Sequence, residues 1–514
     1  MQTQPSSAKD LLLLEITIIF VLLLTATMIA LAERADVATK IVATTENTIL
    51  VKAGADLQAA LNRAQPGSTI KLEAGATFTG TFRLPSKRGD NYITIRTSAE
   101  DDRLPGKDVR IDPVKYASML PKLISPLPEP VMTAESGAHH YRFIGIEFGG
   151  TRDGVGNIIK LGTGEEKRIE DLPHHIEFDR VYIHSTSPEG QRRGIAANGK
   201  FIRIINSHIS DIKRRGEESQ AIAVWSTDGP VEIINNYLEA AAENILFGGA
   251  SSVLALTPTD CVVSNNHLNK PPTWKTEGWV VKNLFEIKHG RRIKVTNNLL
   301  TNNWGMGQDG TAVLFSTRDD SGENVVIEDV EFRNNIIRNS TNGLSVYGGE
   351  GKGGHRLSII NNIFEGIGEK NADGSGRFMK STAWNGLTIE NNTIINSGNI
   401  TSAYGVPVKN FIFRNNIVFG NEYGFKGDST ASGRQTIDKY FPGSDVSSNI
   451  IIGVDSNNYP AKNFIVGSVA SVGFVNYIAG DYTLRPDSKL LNRSSEGKSI
   501  GASLNASTVG KWLF

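Results

Sequence analysis

The chain has a single cysteine, Cys261, in 514 residues, so it carries no disulfide framework and no zinc-binding spacing. It also lacks a charge imbalance. Its 54 basic and 54 acidic residues leave no electrostatic footprint for nucleic acid or for an anionic membrane. Helical periodicity is scarce beyond the N-terminus, which points to short strands joined by turns. Cys261 falls at an inward strand position, where a small buried thiol is expected.

What the chain does have is a repeat. In Ile293-Lys-Val-Thr-Asn-Asn298, apolar and polar residues alternate, so Ile293, Val295 and Asn297 share one face of a strand. The same phrase ends at Asn206, Asn235, Asn265, Asn334, Asn361, Asn391 and Asn415, at about 30 residues per repeat. One short β phrase per period describes a solenoid, which makes one elongated body of a long chain. The first asparagine of each pair is in phase with the inward residues. Stacked coils are therefore expected to place these amides in an internal file, each bonded to the next.

This layout resembles the right-handed parallel β-helix of the pectin-lyase-like superfamily, an all-β solenoid with an internal asparagine ladder, over most of the chain after about residue 48. Residues 11–32 are Leu-rich and end Ala30-Leu-Ala32, a pattern that predicts a signal peptide over 1–32 and a secreted, periplasmic or cell-surface protein. An uncleaved anchor is the competing reading, and would be the chain's only contact with a membrane. Residues 33–48 read as a linker and 49–514 as the solenoid. Within it, Leu57, Ala60, Leu61 and Ala64 make an apolar stripe behind Asp56, predicting a helix over 56–66 that lids the open first coil. This opening resembles the start of the β-helical alginate and chondroitin-B lyases. Residues 97–135, rich in Pro and charge, read as an excursion. Asp481–Leu484 and Ser499–Ala502 read as an irregular C-terminal cap.

Between successive Asn phrases lies a second strand, seen as Ala221–Trp225, Asn244–Gly248, Asn283–Lys288, Thr311–Arg318, Gly343–Tyr347, Phe378–Lys380 and Gly424–Lys426. Parallel stacking turns matching positions into columns about 4.8 Å apart. Glu286 and Lys288 then point outward, with Arg318, Tyr347 and Lys380 along the same groove. The longest interval between ladder asparagines, from Asn297 to Asn334, is 37 residues and carries Trp304, Gln308, Asp309, Arg318, Asp319 and Asp320. Long loops on a rigid scaffold are where sites usually lie. Trp225, Trp274 and Trp304 are expected to stack on sugar rings, and Gln308 and Arg291 to bind the chain between them.

For an acidic, uronate-containing polysaccharide, elimination needs a cation to neutralise the carboxylate and a base to take the neighbouring carbon-bound proton. Lys288, close in sequence to His289, Arg291 and Arg292, is the candidate base. Arg318 is placed to bind the carboxylate or to protonate the leaving oxygen. Glu286 beside Lys288 suits a cation such as calcium. A Glu-Ile-Lys run followed by an Arg on the next coil resembles the alginate and chondroitin-B lyases, which implies a Lys base, an Arg acid and acidic calcium ligands. The match departs from that family at the arginine, where Arg318 precedes Asp319-Asp320 rather than His-Gly. Glycoside hydrolysis, using a carboxylate pair from Asp309, Asp319 and Asp320, is the second reading. A non-catalytic glycan-binding or adhesive solenoid is the third.

Overall fold

A computed structural model describes residues 41–45, 47–368 and 375–504. The predicted signal segment lies outside them. Among the described residues no helix is long and apolar enough to cross a membrane.

Three long sheets, of 16, 14 and 12 strands among the described residues, run the length of the molecule. Each coil from Thr69 to Gly427 contributes one strand to each. Lys294–Thr296 joins the first sheet, Leu299–Asn303 the second and Thr311–Ser316 the third, and Ile327–Arg333 then returns to the first. Nearly all pairings are parallel, in unshifted register over most of their length. Val263, Val295 and Phe332 are cross-strand partners, for example, and all three are buried. The inward faces merge into one apolar core from Ile49 to Tyr459. This is a parallel β-helix.

The amide file is present, one residue later than expected. Asn236 Nδ2 donates to Asn266 Oδ1 at 3.0 Å, and the same bond runs on through Asn298, Asn335, Asn362, Asn392, Asn416 and Asn449 to Asn463. Asn236 through Asn416 are the second asparagines of their pairs, and Asn449 and Asn463 follow Ser448 and Lys462. The first ones, Asn206 through Asn415, have φ between 52° and 59°. That left-handed residue breaks the strand alternation, so its own side chain swings to the corner and its successor turns inward. Asn265 and Asn297 are accordingly exposed.

Both ends also differ from expectation in detail. The linker region contains a strand, Ile41–Thr45, that pairs antiparallel with Thr48–Val51 and covers the edge of the first sheet. The helix spans Leu57–Arg63, with Asp56 accepting from Ala59 N at 2.9 Å. Its Gln58 amide stands in for a neighbouring strand: Oε1 accepts from Arg83 N at 2.8 Å and Nε2 donates to Arg83 O at 3.1 Å. Near the other end, residues 472–502 run back along the second sheet. Phe474, Tyr482, Leu484 and Ile500 cover Leu299, Ile336, Ile363 and Ile395, making a second apolar layer.

Candidate active site

The third sheet bears the groove. In register along it, Leu246, Glu286, Leu314, Ser345, Lys380 and Ser402 form one outward column. Lys288 follows Ile287, the partner of Phe315, and so stands level with Ser316 and Tyr347 in the next column. Arg318 lies two residues farther along the neighbouring coil. A cleft of about 390 Å³ collects them, lined by Glu286, Lys288, Gln308, Arg318, Tyr347 and Lys380 among others. Six of the ten sequence-derived site residues therefore share one cavity.

Charge in the cleft is arranged in layers. Arg318 is 65% exposed, and its guanidinium lies 4.2 Å from the Tyr347 ring centroid and 3.3 Å from Glu350 Oε1. These partners raise its already high pKa. Lys288 is 23% exposed and sits 3.8 Å from Glu286 Oε1. Glu286 forms the floor: Asn283 Nδ2 donates to its Oε2 at 2.8 Å. Burial, and then the Glu243 carboxylate, push the Glu286 carboxyl up to about 8. Glu243 is fully buried and also raised, chiefly by burial, with Lys282 Nζ 3.6 Å from its Oε1. Lys282 also pairs with Glu218. Beneath them the buried Lys270 ammonium donates to Ala240 O and Ala242 O at 2.9 Å, Asn283 O at 3.0 Å and Asn244 Oδ1 at 3.1 Å, tying two coils together. Burial brings Lys270 down to about 7.

Calcium does not fit this floor. The ion takes six to eight oxygens, whereas Glu218 and Glu243 already face the Lys282 amine and Glu286 faces that of Lys288. Glu243 Oε1 and Asn283 Oδ1 lack hydrogen-bond partners, yet the first of these already faces the Lys282 ammonium. Among the described residues no three carboxylates converge here. Glu286 is thus a buried floor residue of the cleft, and the Lys288 amine stands 3.8 Å from it.

Four expected binding residues lie elsewhere. Trp274 and Trp304, 4% and 5% exposed, are packed with Trp279, Ala241 and Val281 in a satellite core, where they cannot stack on a sugar. Arg291 lies on the first sheet and pairs with Glu328 at 2.7 Å. Its neighbour Arg292 pairs with Asp260 at 2.6 Å, so neither joins the lysine. Trp225 is half-buried beneath the Arg193 guanidinium, in Lys288's column but two coils toward the N-terminus and outside the cleft lining. Of the three carboxylates of the hydrolase reading, Asp320 is exposed, Asp309 lines the cleft, and two are engaged structurally. Asp319 accepts from Gly249 N and from Ser321 N, and Asp309 is paired with Arg377.

Sequence reasoning missed Tyr404, which lines the cleft and lies 5.2 Å from Lys380 Nζ. Its strand, Thr401–Ala403, is a short third-sheet rung between Asn391 and Asn415. Counting one such rung per Asn interval would have found it.

No family model matches the sequence, and a comparison with curated proteins gives no match. Among solved structures, the chain is similar to the PL6 family alginate lyase AlyGC at 15% identity and TM-score 0.48, covering 89% of this chain and 57% of that one. It is also similar to the PL6 family polysaccharide lyase Pedsa3628 from Pseudopedobacter saltans, at 13% identity over 90% and 100% of the two chains with TM-score 0.43. Pectate lyase Pel9A gives 12% identity over 89% and 96%, with TM-score 0.38. By its own three parallel sheets and internal amide file, the chain is a parallel β-helix.

Proposed function

We propose that this protein is exported and cleaves an acidic, uronate-containing polysaccharide by β-elimination in the third-sheet cleft. The observation that carries the reading is the shared cavity of Lys288, Arg318, Tyr347 and Lys380 over a buried carboxyl floor. Export rests on the sequence of residues 11–32.

A polyuronate carries one carboxylate per sugar. Arg318 and Lys380, two coils apart, offer cations to carboxylates along the polymer, with the Tyr347 ring on the coil between them and the Tyr404 ring on the coil beyond Lys380. Because Tyr347 and Glu350 bind its guanidinium proton more tightly, Arg318 suits the neutraliser's part better than the acid's. Neutralising the carboxylate lets the adjacent C5–H bond ionise. Lys288 takes that proton. The C5–H electron pair forms the C4–C5 double bond as the C4–O bond breaks, and Lys288 returns the proton to the departing oxygen on the same face. No step is routed through a metal ion.

The test is a panel of alginate, pectate and neutral glycans given to the purified protein. Elimination generates an unsaturated uronate with new ultraviolet absorbance. Reducing ends without absorbance would replace this reading by hydrolysis, and gel retardation without cleavage by binding alone.

A further inference from the structure

A second constellation lies on the first sheet, away from the groove. Two successive coils open their first-sheet strands with a histidine pair, His139-His140 and His174-His175. In each pair the second histidine is left-handed, with φ of 55° and 53°. A regular strand would send neighbouring side chains to opposite faces. The left-handed residue cancels that alternation and brings both rings of each pair to the same side.

The coils are in register at His139 and His174. Four imidazoles therefore stack as two short files. The His139 and His174 rings are 4.6 Å apart and 2° from parallel, and His140 and His175 are 4.5 Å apart and 6° from parallel. Within each coil the two Nδ1 atoms approach to 2.7 and 2.8 Å. One nitrogen each from His139, His140 and His174 lies within 4.8 Å of the others. All four rings are half-buried, so their outer edges remain reachable from solvent.

We infer that His139, His140 and His174, with His175 beside them, form a site for one late transition-metal dication, such as copper(II), nickel(II) or zinc(II). Imidazole suits these ions, and a site made of imidazoles alone disfavours calcium and magnesium. Zinc–nitrogen bonds of about 2.0 Å place tetrahedral ligands roughly 3.3 Å apart, so each close pair must open slightly and the stacked His139 and His174 rings must tilt together. A bound ion would join two coils through their side chains. The alternative is a purely structural ring ladder, continued by Phe201, which stacks on His175 at 4.4 Å.

The experiment uses the full chain without a histidine tag, titrated with zinc(II) by calorimetry and loaded with copper(II) for electron paramagnetic resonance. The inference expects one ion per chain and nitrogen hyperfine structure from at least three imidazoles. His139→Gln and His174→Gln should each weaken binding by about tenfold or more, a loss comparable to removing even an outer-shell partner of a metal ligand. His355→Gln, on an exposed histidine held by Lys352 O, should bind as the parent does. Matching melting curves for parent and variants would separate lost ligation from lost fold. Absence of binding, an oxygen-dominated copper spectrum, or unchanged affinity in both glutamine variants would overturn the inference and leave the ring ladder. Because the site lies on another sheet, its failure would not bear on the groove.

Discussion

The one-residue offset of the amide file gives a sharp stability prediction. Asn298 and Asn297 are sequence neighbours of the same type, and the structure gives them opposite roles. Asn298 Oδ1 accepts from both the backbone N and the Nδ2 of Asn266 at 3.0 Å, while its own Nδ2 donates to Val263 O at 3.0 Å and to Asn335 Oδ1 at 2.9 Å. Asn298→Ala therefore strands the buried Asn266 N–H and deprives Val263 O of a donor. At roughly 1–3 kcal/mol for each buried group left unpaired, the loss is about 2–5 kcal/mol, a large part of a typical folding free energy. Asn297 is exposed, with φ of 59°. Glycine adopts that conformation without strain, so Asn297→Gly should cost no more than about 1 kcal/mol. Urea unfolding midpoints, with slopes compared, provide the assay. A larger drop for Asn297→Gly than for Asn298→Ala would refute the inward placement of the second asparagine.

Further expectations follow from the cleft. Lys288→Ala and Arg318→Ala should each lower turnover by about 10²-fold or more while leaving the urea midpoint close to the parent's. Glu286 keeps a proton in the folded chain from its ordinary value of 4.5 up to about 8, a window in which the unfolded chain has released it. Stability from this group is thus full below that window and is lost as pH rises through it, with a slope of at most about 1.4 kcal/mol per pH unit. Glu286→Gln should flatten the decline measured between about pH 5 and pH 8; an unchanged slope would contradict the raised carboxyl. Trp304→Ala should cost about 3–5 kcal/mol of stability, whereas Trp225→Ala, outside the cleft lining, should leave KM unchanged. Chelation with EDTA should leave turnover unchanged, and loss of activity restored by calcium would contradict the pairing of Glu243 with Lys282 and of Glu286 with Lys288.

Much of the groove was legible because a parallel solenoid converts period into position. Once the strand around Phe285–Ile287 is aligned with Thr311–Ser316, the neighbourhood of Glu286, Lys288 and Arg318 follows from alternation alone. The amide file slipped by one residue because alternation assumes extended backbone, and a left-handed asparagine at the corner adds half a period that no hydrophobic pattern reports. The tryptophans were misplaced for another reason. Trp274 and Trp304 sit in loops long enough to fold back on one another, and Trp279 closes a small core that has no periodicity to reveal it. Arg291 shows the same limit: its partner, Glu328, lies 37 residues away on the next coil. The paired histidines were visible as dipeptides, but their meeting depends on the register of two coils 35 residues apart.

The central claim is the chemistry of the third-sheet cleft, and the most direct measurement is the ultraviolet absorbance of a polyuronate solution during incubation. The account predicts a steady rise with the parent protein and none with Lys288→Ala or Arg318→Ala. A parent that cleaves the polymer without that rise, or an Arg318→Ala variant that produces it at the parent's rate, would contradict the account.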